Sequence, residues 1–238
     1  MTNVLILNGS PRGKDGNTAK LVDRFVEGMK KGGCDYSFEH VFLKDKEINS
    51  CTGCYSCWKE TPGECVFDDD MEDVLPKYID ADLIIWATPL YHFGMTSIMK
   101  QFIERTLIVN KPKIIEVEDG YSHPRRYDLG DKQNILISTC GFPEHSNFEV
   151  LTKQFERITE GKLNEKILSV MGELLSIEIM REEVGWYLEA AEKAGEEFAI
   201  EGSFSEETKE TLGKKLISPE DYVELANASW EQGGPPRE

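Results

Sequence analysis

Two stretches of this chain combine residue types and spacings suited to chemistry. The first is Asn8-Gly9-Ser10-Pro11-Arg12-Gly13-Lys14-Asp15-Gly16-Asn17-Thr18, which follows the apolar run Val4–Leu7 and leads into an amphipathic stretch from Ala19. A buried strand that hands a small-residue turn to a helix N-terminus aims unpaired backbone N–H groups and the positive end of the dipole at an anion. Gly9, Gly13 and Gly16 let the backbone come close, while Ser10, Asn17 and Thr18 can donate side-chain hydrogen bonds. The spacing is neither G-x-G-x-x-G nor G-x-x-x-x-G-K-[ST], so a single phosphomonoester suits it better than a pyrophosphate.

The second stretch is Cys51-Thr52-Gly53-Cys54-Tyr55-Ser56-Cys57 with Cys65 beyond it, a C-x2-C-x2-C-x7-C run. Four thiols in so short a segment match the ligand number of one four-iron cluster, with Cys65 closing the site and Gly53 and Gly63 supplying tight turns. Structural zinc more commonly joins two CxxC pairs across a longer stretch, and free or redox-active thiols are the remaining reading. Cys34 and Cys140 stand alone in sequence and read as small buried apolar residues.

These residues need elements to position them. Short branched apolar runs at Val4–Leu7, Ser37–Leu43, Leu83–Ala87, Ile135–Thr139 and Lys166–Met171 predict strands. Between them, helical periodicity predicts a helix from Ala19 to the Gly32-Gly33 pair and further helices over Met71–Ile79, Ser97–Leu107, Phe148–Ile158 and Val184–Ile200. Alternation of this kind implies crossover connections and a parallel sheet covered on both faces. Two insertions break it, Ile48–Asp70 with the cysteines and Val109–Lys132 with His123-Pro124-Arg125-Arg126. The basic spot reads as a solvated loop or subunit contact, with docking of a nicotinamide-cofactor phosphate as the lesser reading. Asp69 and Glu72 have the spacing of a helix capping box. Beyond Gly202, the spacing of Leu212, Leu216, Ile217, Tyr222, Leu225 and Trp230 predicts short helices packing as an arm, and Gly233-Gly234-Pro235-Pro236 a frayed end.

Forty-four acidic against twenty-seven basic residues leave a formal net charge of −17 in 238 residues. Such a charge argues against nucleic acid and against anionic membrane surfaces as partners. With no signal-peptide pattern and no apolar run of membrane-spanning length, the expectation is a soluble cytoplasmic protein, where cysteines stay reduced. The length suits one α/β domain over residues 1–200, with a cysteine-rich insertion at 48–70, and a helical extension over 201–238.

A third segment, Ala87-Thr88-Pro89-Leu90-Tyr91-His92-Phe93-Gly94, ends the third strand and leads through Met95-Thr96 into Ser97. In a doubly wound sheet of order 2-1-3-4-5 it lies beside the first loop at the switch point, where backbone groups of Leu90–Phe93 can meet the polar edge of a flat ring system. Thr139-Cys140-Gly141-Phe142-Pro143-Glu144 ends the fourth strand and completes the rim. Together, N-G-S-P-R…G-N-T, T-P-L-Y-H-F-G…K-Q-F-I-E-R and S-T-C-G-F-P-E resemble the flavodoxin-like NAD(P)H-dependent FMN reductases, and Cys51–Asp70 resembles their iron–sulfur flavoprotein branch. The resemblance covers roughly residues 1–200.

It implies a flavodoxin-like three-layer α/β sandwich with a five-stranded parallel sheet. It also implies FMN, its phosphate at Ser10, Pro11, Arg12, Gly16, Asn17 and Thr18, and its isoalloxazine against Pro89, Leu90, Tyr91, His92 and Phe93 on one loop and Thr139, Cys140, Gly141 and Phe142 on the other. Cys51, Cys54, Cys57 and Cys65 would hold a [4Fe-4S] cluster, and subunits would associate as a homodimer or homotetramer. The implied activity passes electrons from NAD(P)H or reduced ferredoxin to a small-molecule acceptor such as a flavin or quinone, with no side chain acting as acid or base because the cofactor carries the chemistry. The alternative is a non-catalytic flavin and iron–sulfur carrier whose acidic face docks a redox partner protein.

Overall fold

The computed structural model describes residues 1–117 and 120–232. The elements run β1 (Thr2–Asn8), α1 (Asn17–Lys31), β2 (Tyr36–Phe42), α2 (Ser56–Lys59), α3 (Met71–Asp80), β3 (Leu83–Ala87), α4 (Ser97–Arg105), β4 (Ile115–Val117), β5 (Gly120–Ser122), β6 (Gln133–Thr139), α5 (Glu149–Ile158), β7 (Glu165–Ser169), α6 (Arg181–Glu201), α7 (Glu206–Leu212) and α8 (Pro219–Glu231). The frayed end expected at Gly233–Pro236 lies outside the described residues.

β1, β3 and β6 are near-continuous apolar runs because strands covered on both faces have no wet side to alternate toward. They form the centre of a five-stranded parallel sheet of order β2-β1-β3-β6-β7, the expected doubly wound order once the β4–β5 hairpin is set apart. In register, Asn8 pairs with Ala87, and Ala87 with Ile137, so the strands end together on one edge.

Two helical layers cover the sheet. α1 and α6 pack so closely that a Cβ on Gly28 would overlap the Glu192 carbonyl and one on Gly195 the Phe25 carbonyl. Phe25, Phe198 and Phe204 fill that side, with ring centroids 5.9–6.3 Å apart. On the other side Trp86 of β3 meets Tyr78 of α3, Phe102 of α4 and Phe155 of α5. The Trp86 indole N–H donates to Asn134 Oδ1 at 3.0 Å, satisfying the one polar atom this ring buries.

The arm forms, but only part of its apolar set is buried. Leu212, Leu216 and Tyr222 are buried, whereas Leu225 and Trp230 are exposed on α8. α4 ends at Arg105, two residues before the expected boundary, and tightens into a 3-10 turn at Thr106–Val109. Cys34 departs from its expected burial: it is exposed, with its thiol donating to the Ala199 carbonyl at 3.0 Å. Among the described residues no helix is long and apolar enough to cross a membrane.

Candidate functional site

The first loop runs from β1 into α1 along a path set by local hydrogen bonds. Asn8 Oδ1 accepts from the Ser10 N–H at 2.9 Å, Ser10 Oγ accepts from the Arg12 N–H at 3.3 Å, and Ser10 O accepts from the Gly13 N–H at 3.0 Å. Gly13 has φ +55°, and at Gly16 a Cβ would come within 2.7 Å of Ser10 Oγ, so both positions need glycine. α1 then starts with no side-chain cap at Gly16 and no acidic residue in its first turn. Ser10, Asn17 and Thr18 are buried beneath the loop, while Pro11 and Arg12 are exposed at its mouth. An uncapped helix N-terminus, hydroxyl and amide donors and an exposed guanidinium together form a donor set that fits a phosphate.

The neighbouring loops are stitched to the first. Gly9 donates its N–H to Ala87 O at 2.8 Å, and Thr96 Oγ1, also the cap of α4, donates to Gly9 O at 2.7 Å. Leu90 donates its N–H to Thr139 O at 2.8 Å, and Thr18 Oγ1 lies 2.9 Å from Thr139 Oγ1. Tyr91 and Gly94 exchange backbone hydrogen bonds across a tight turn whose central residues, His92 and Phe93, have φ of 51° and 63°. Such a turn normally takes Asn-Gly, and a bulky residue there stores on the order of 1–3 kcal/mol of strain. It turns Tyr91, His92 and Phe93 outward to solvent, and Phe93 faces Phe142 across the rim with ring planes 10° apart and centroids at 6.1 Å.

Pro89 and Leu90 are half-buried and Gly141 is exposed, so the three expected loops converge on one edge of the sheet. Cys140 is placed differently from its neighbours. Its N–H and carbonyl are spent on Ser169 O and the Gly172 N–H, and its thiol is turned inward, where burial pushes it up to about 11. His40 lies next to Asn8, its Nε2 3.4 Å from the Asn8 amide nitrogen, and burial lowers it to about 4, which keeps the ring neutral and able to accept.

Cys51, Cys54, Cys57 and Cys65 all line one small cavity between the Ile48–Asp70 loop and the end of α4, together with Phe67, Glu104, Arg105 and Ile108. Burial pushes the Cys57 thiol up, helped by the nearby Cys65, Cys54 and Cys51. The exposed Cys54 is pulled down by hydrogen bonds from Ser56. All six cysteines are unpaired, and among the described residues no three Cys, His, Asp or Glu side chains are gathered as around a single metal ion. Four thiols ring a cavity, a donor set of the kind and number that a four-iron cluster takes.

Residues that local spacing leaves silent hold this loop in place. Asp69 is an ion-pair partner more than a cap: its carboxylate takes Arg105 Nη1 and Nη2 at 2.6 and 3.1 Å, the N–H and side-chain amide of Asn49, and the Met71 N–H at 3.1 Å. The residue at the N-cap position of α3 is Asp70, whose carboxylate instead accepts from the Glu47 N–H. His123–Arg126 likewise is a strut inside the chain and not a solvated loop. His123 packs on Trp58 at 4.9 Å, Arg125 binds Asn110 and Glu160, and Arg126 donates to Ile108 O at 3.2 Å and Cys57 O at 3.4 Å.

α4 connects the two regions. Its cap, Thr96, touches the first loop and its last residue, Arg105, lines the cysteine cavity, so nine residues, about 13 Å of helix, separate them. Asn8, Thr96 and Arg105 were not singled out from the sequence. Only Thr96 left a local signal, a threonine directly before a helix.

The NADPH-dependent FMN reductase family model matches residues 2–145. An iron-sulfur flavoprotein of Archaeoglobus fulgidus is 39% identical over 99 residues, 42% of this chain and 43% of its own length. The iron-sulfur flavoprotein of Methanosarcina thermophila is 30% identical over 105 residues, 44% of this chain and 52% of that one. The match thus spans about half the length of these relatives. Among solved structures, an FMN-dependent NADH-azoreductase from Bacillus anthracis in complex with FMN shares the fold, with a TM-score of 0.60 at 17% identity over 86% of this chain and 100% of that one. With its three loops on one sheet edge and its cysteines in one cavity, the chain belongs to the NADPH-dependent FMN reductase family and is similar, within it, to the iron–sulfur flavoproteins.

Proposed function

We propose that the protein is an FMN-dependent oxidoreductase that moves electrons from NAD(P)H or reduced ferredoxin to a second acceptor such as a flavin or quinone, with a [4Fe-4S] cluster on Cys51, Cys54, Cys57 and Cys65. The observation that carries the reading is the joining of two donor sets by one helix, an anion-accepting loop at one end of α4 and a cavity ringed by four thiols at the other. When bound, FMN supplies the exchange between two-electron and one-electron chemistry, and a cluster supplies a one-electron relay.

The chain's own residues bind and orient. Ser10, Asn17, Thr18 and the uncapped start of α1 would take the phosphate, and Arg12 would close over it. The backbone of Pro89–Phe93 and of Gly141–Phe142 would line the ring, with Phe93 and Phe142 shielding it from water. Tyr91, Phe93 and Phe142 are about half-exposed, and in this reading a second copy of the chain covers them in a homodimer or homotetramer. Four reduced cysteines suit a cytoplasmic setting.

Anaerobic purification with a visible spectrum, iron and acid-labile sulfide determination tests the proposal. Flavin bands with about four irons per chain support it in full. Flavin without iron retains the FMN oxidoreductase and removes the cluster, and no flavin after reconstitution with FMN overturns the reading. Steady-state oxidation of NADH or NADPH, or its absence beside reduction by ferredoxin, identifies the donor; no turnover with any small acceptor points to the electron carrier.

A further inference from the structure

We propose that Arg105 is a positioning residue of the cysteine site, a fixed buried positive charge that holds the cavity wall beside Cys65 and makes a cluster bound there easier to reduce. The inference rests on the cluster reading above and adds a residue and a property to it.

The Arg105 side chain is 1% exposed. Its Nη1 donates to Asp69 and to the Asn49 carbonyl, its Nη2 donates to Asp69, and the Phe67 ring lies 5.2 Å from the guanidinium carbon. Nε is buried and has no hydrogen-bond partner among the described residues. A buried N–H left unpaired is destabilising, so its retention calls for an explanation in what the site holds. Arg105 is the one cationic side chain among the described residues lining the cavity, which otherwise presents four thiols and Glu104. Asp69 stands behind it, off the cavity wall, with its charge shared among the donors of Arg105, Asn49 and Met71.

The charge of Arg105 is secure. A guanidinium stays protonated in proteins, and the hydrogen bonds to Asp69 and to the Asn49 carbonyl fix its place. Reduction by one electron adds negative charge inside the ring of thiolates, and a buried cation beside it stabilises the reduced form more than the oxidised one. The same pair ties both ends of the cysteine segment to α4, since Asp69 also holds Asn49. The cavity shape and the fixed charge therefore depend on one side chain.

The test compares the full-length wild type with Arg105→Lys, Arg105→Gln and the double variant Asp69→Asn with Arg105→Gln. Each is reconstituted anaerobically with iron and sulfide, assayed for iron and sulfide per chain, and titrated with dithionite under EPR. The expected result is that Arg105→Gln lowers the reduced-to-oxidised ratio at a given potential about tenfold, 59 mV for one electron, and that Arg105→Lys recovers part of the shift. The double variant, which removes the paired carboxylate together with the cation, gives a smaller shift of the same sign, because Arg105 lines the cavity and Asp69 does not, and it serves if Arg105→Gln alone does not fold. A fully loaded Arg105→Gln or double variant with the wild-type midpoint overturns the proposal. A wild type that takes up no iron overturns the cluster reading first, and this proposal with it.

Discussion

The hydroxyls of Thr18 and Thr139 lie 2.9 Å apart in the buried interior although 121 positions separate them in the chain. Thr18 opens the first turn of α1 and Thr139 ends β6, so this one hydrogen bond holds the phosphate loop against the rim that the ring system would use. Thr18→Val leaves the Thr139 hydroxyl buried without its partner, a loss of about 1–3 kcal/mol, and Thr139→Val does the converse. Removing both hydroxyls recovers most of the loss. Urea unfolding of the two single variants and the double variant gives the coupling, and strictly additive losses would exclude it.

Asp69 ties stability to acid pH. Burial by itself would raise its carboxyl, but Arg105 and the donors of Asn49 and Met71 prevail and bring it from 3.8 down to about 2. As pH falls the unfolded chain takes up this proton first, so the stabilisation is whole above about pH 4 and disappears as pH drops toward 2. A carboxyl held from 3.8 down to about 2 contributes about 2.5 kcal/mol of stability. Denaturant unfolding between pH 2 and 6 should show the wild type losing stability more steeply than Asp69→Asn across that window.

The contact of α1 with α6 admits no added atom at two glycines. Gly28→Ala and Gly195→Ala each press a methyl group onto the partner helix's backbone and should cost about 1–3 kcal/mol or more. Gly185→Ala on the same helix α6 meets nothing within 4 Å and should gain about 1 kcal/mol through helix propensity. Thermal melts of the three variants separate overpacking from propensity, and equal shifts at all three positions would contradict the packing.

The cysteines of the metal-free protein should differ in reactivity by burial. Cys54 is exposed with a lowered thiol and should react first with iodoacetamide at pH 8, whereas Cys140, pushed up to about 11 by burial, should react only after unfolding. Peptide mass spectrometry over a time course orders the sites. Early labelling of Cys140 would place its thiol on the rim instead of in the core.

The doubly wound sheet was legible because its signals are local and periodic. Apolar runs such as Leu83–Ala87 mark strands buried on both faces, 3.6-residue periodicity marks the helices between them, and alternation of the two implies parallel pairing. The phosphate loop and the cysteine run were legible for the same reason, since the residues that act together lie within a few positions of one another. Residues 2–145, which hold those motifs, match the family that the motifs suggested.

The residues that hold these segments in place were decided only in three dimensions. Nothing in the spacing of Asp69 and Glu72 shows that Asp69 meets Arg105, 36 positions on, or that Arg126 reaches the carbonyl of Cys57, 69 positions earlier. Tyr222 leaves its ring in the core and its hydroxyl 2.9 Å from Gly141 O, a link from the arm to the rim that the apolar spacing of the arm does not contain. Polar partners have no period: a charged or hydroxyl side chain takes whichever complement the packed backbone brings within about 3 Å once water is excluded. Local order is written in the chain's periodicity, while the choice of polar partners waits for the folded interior to form.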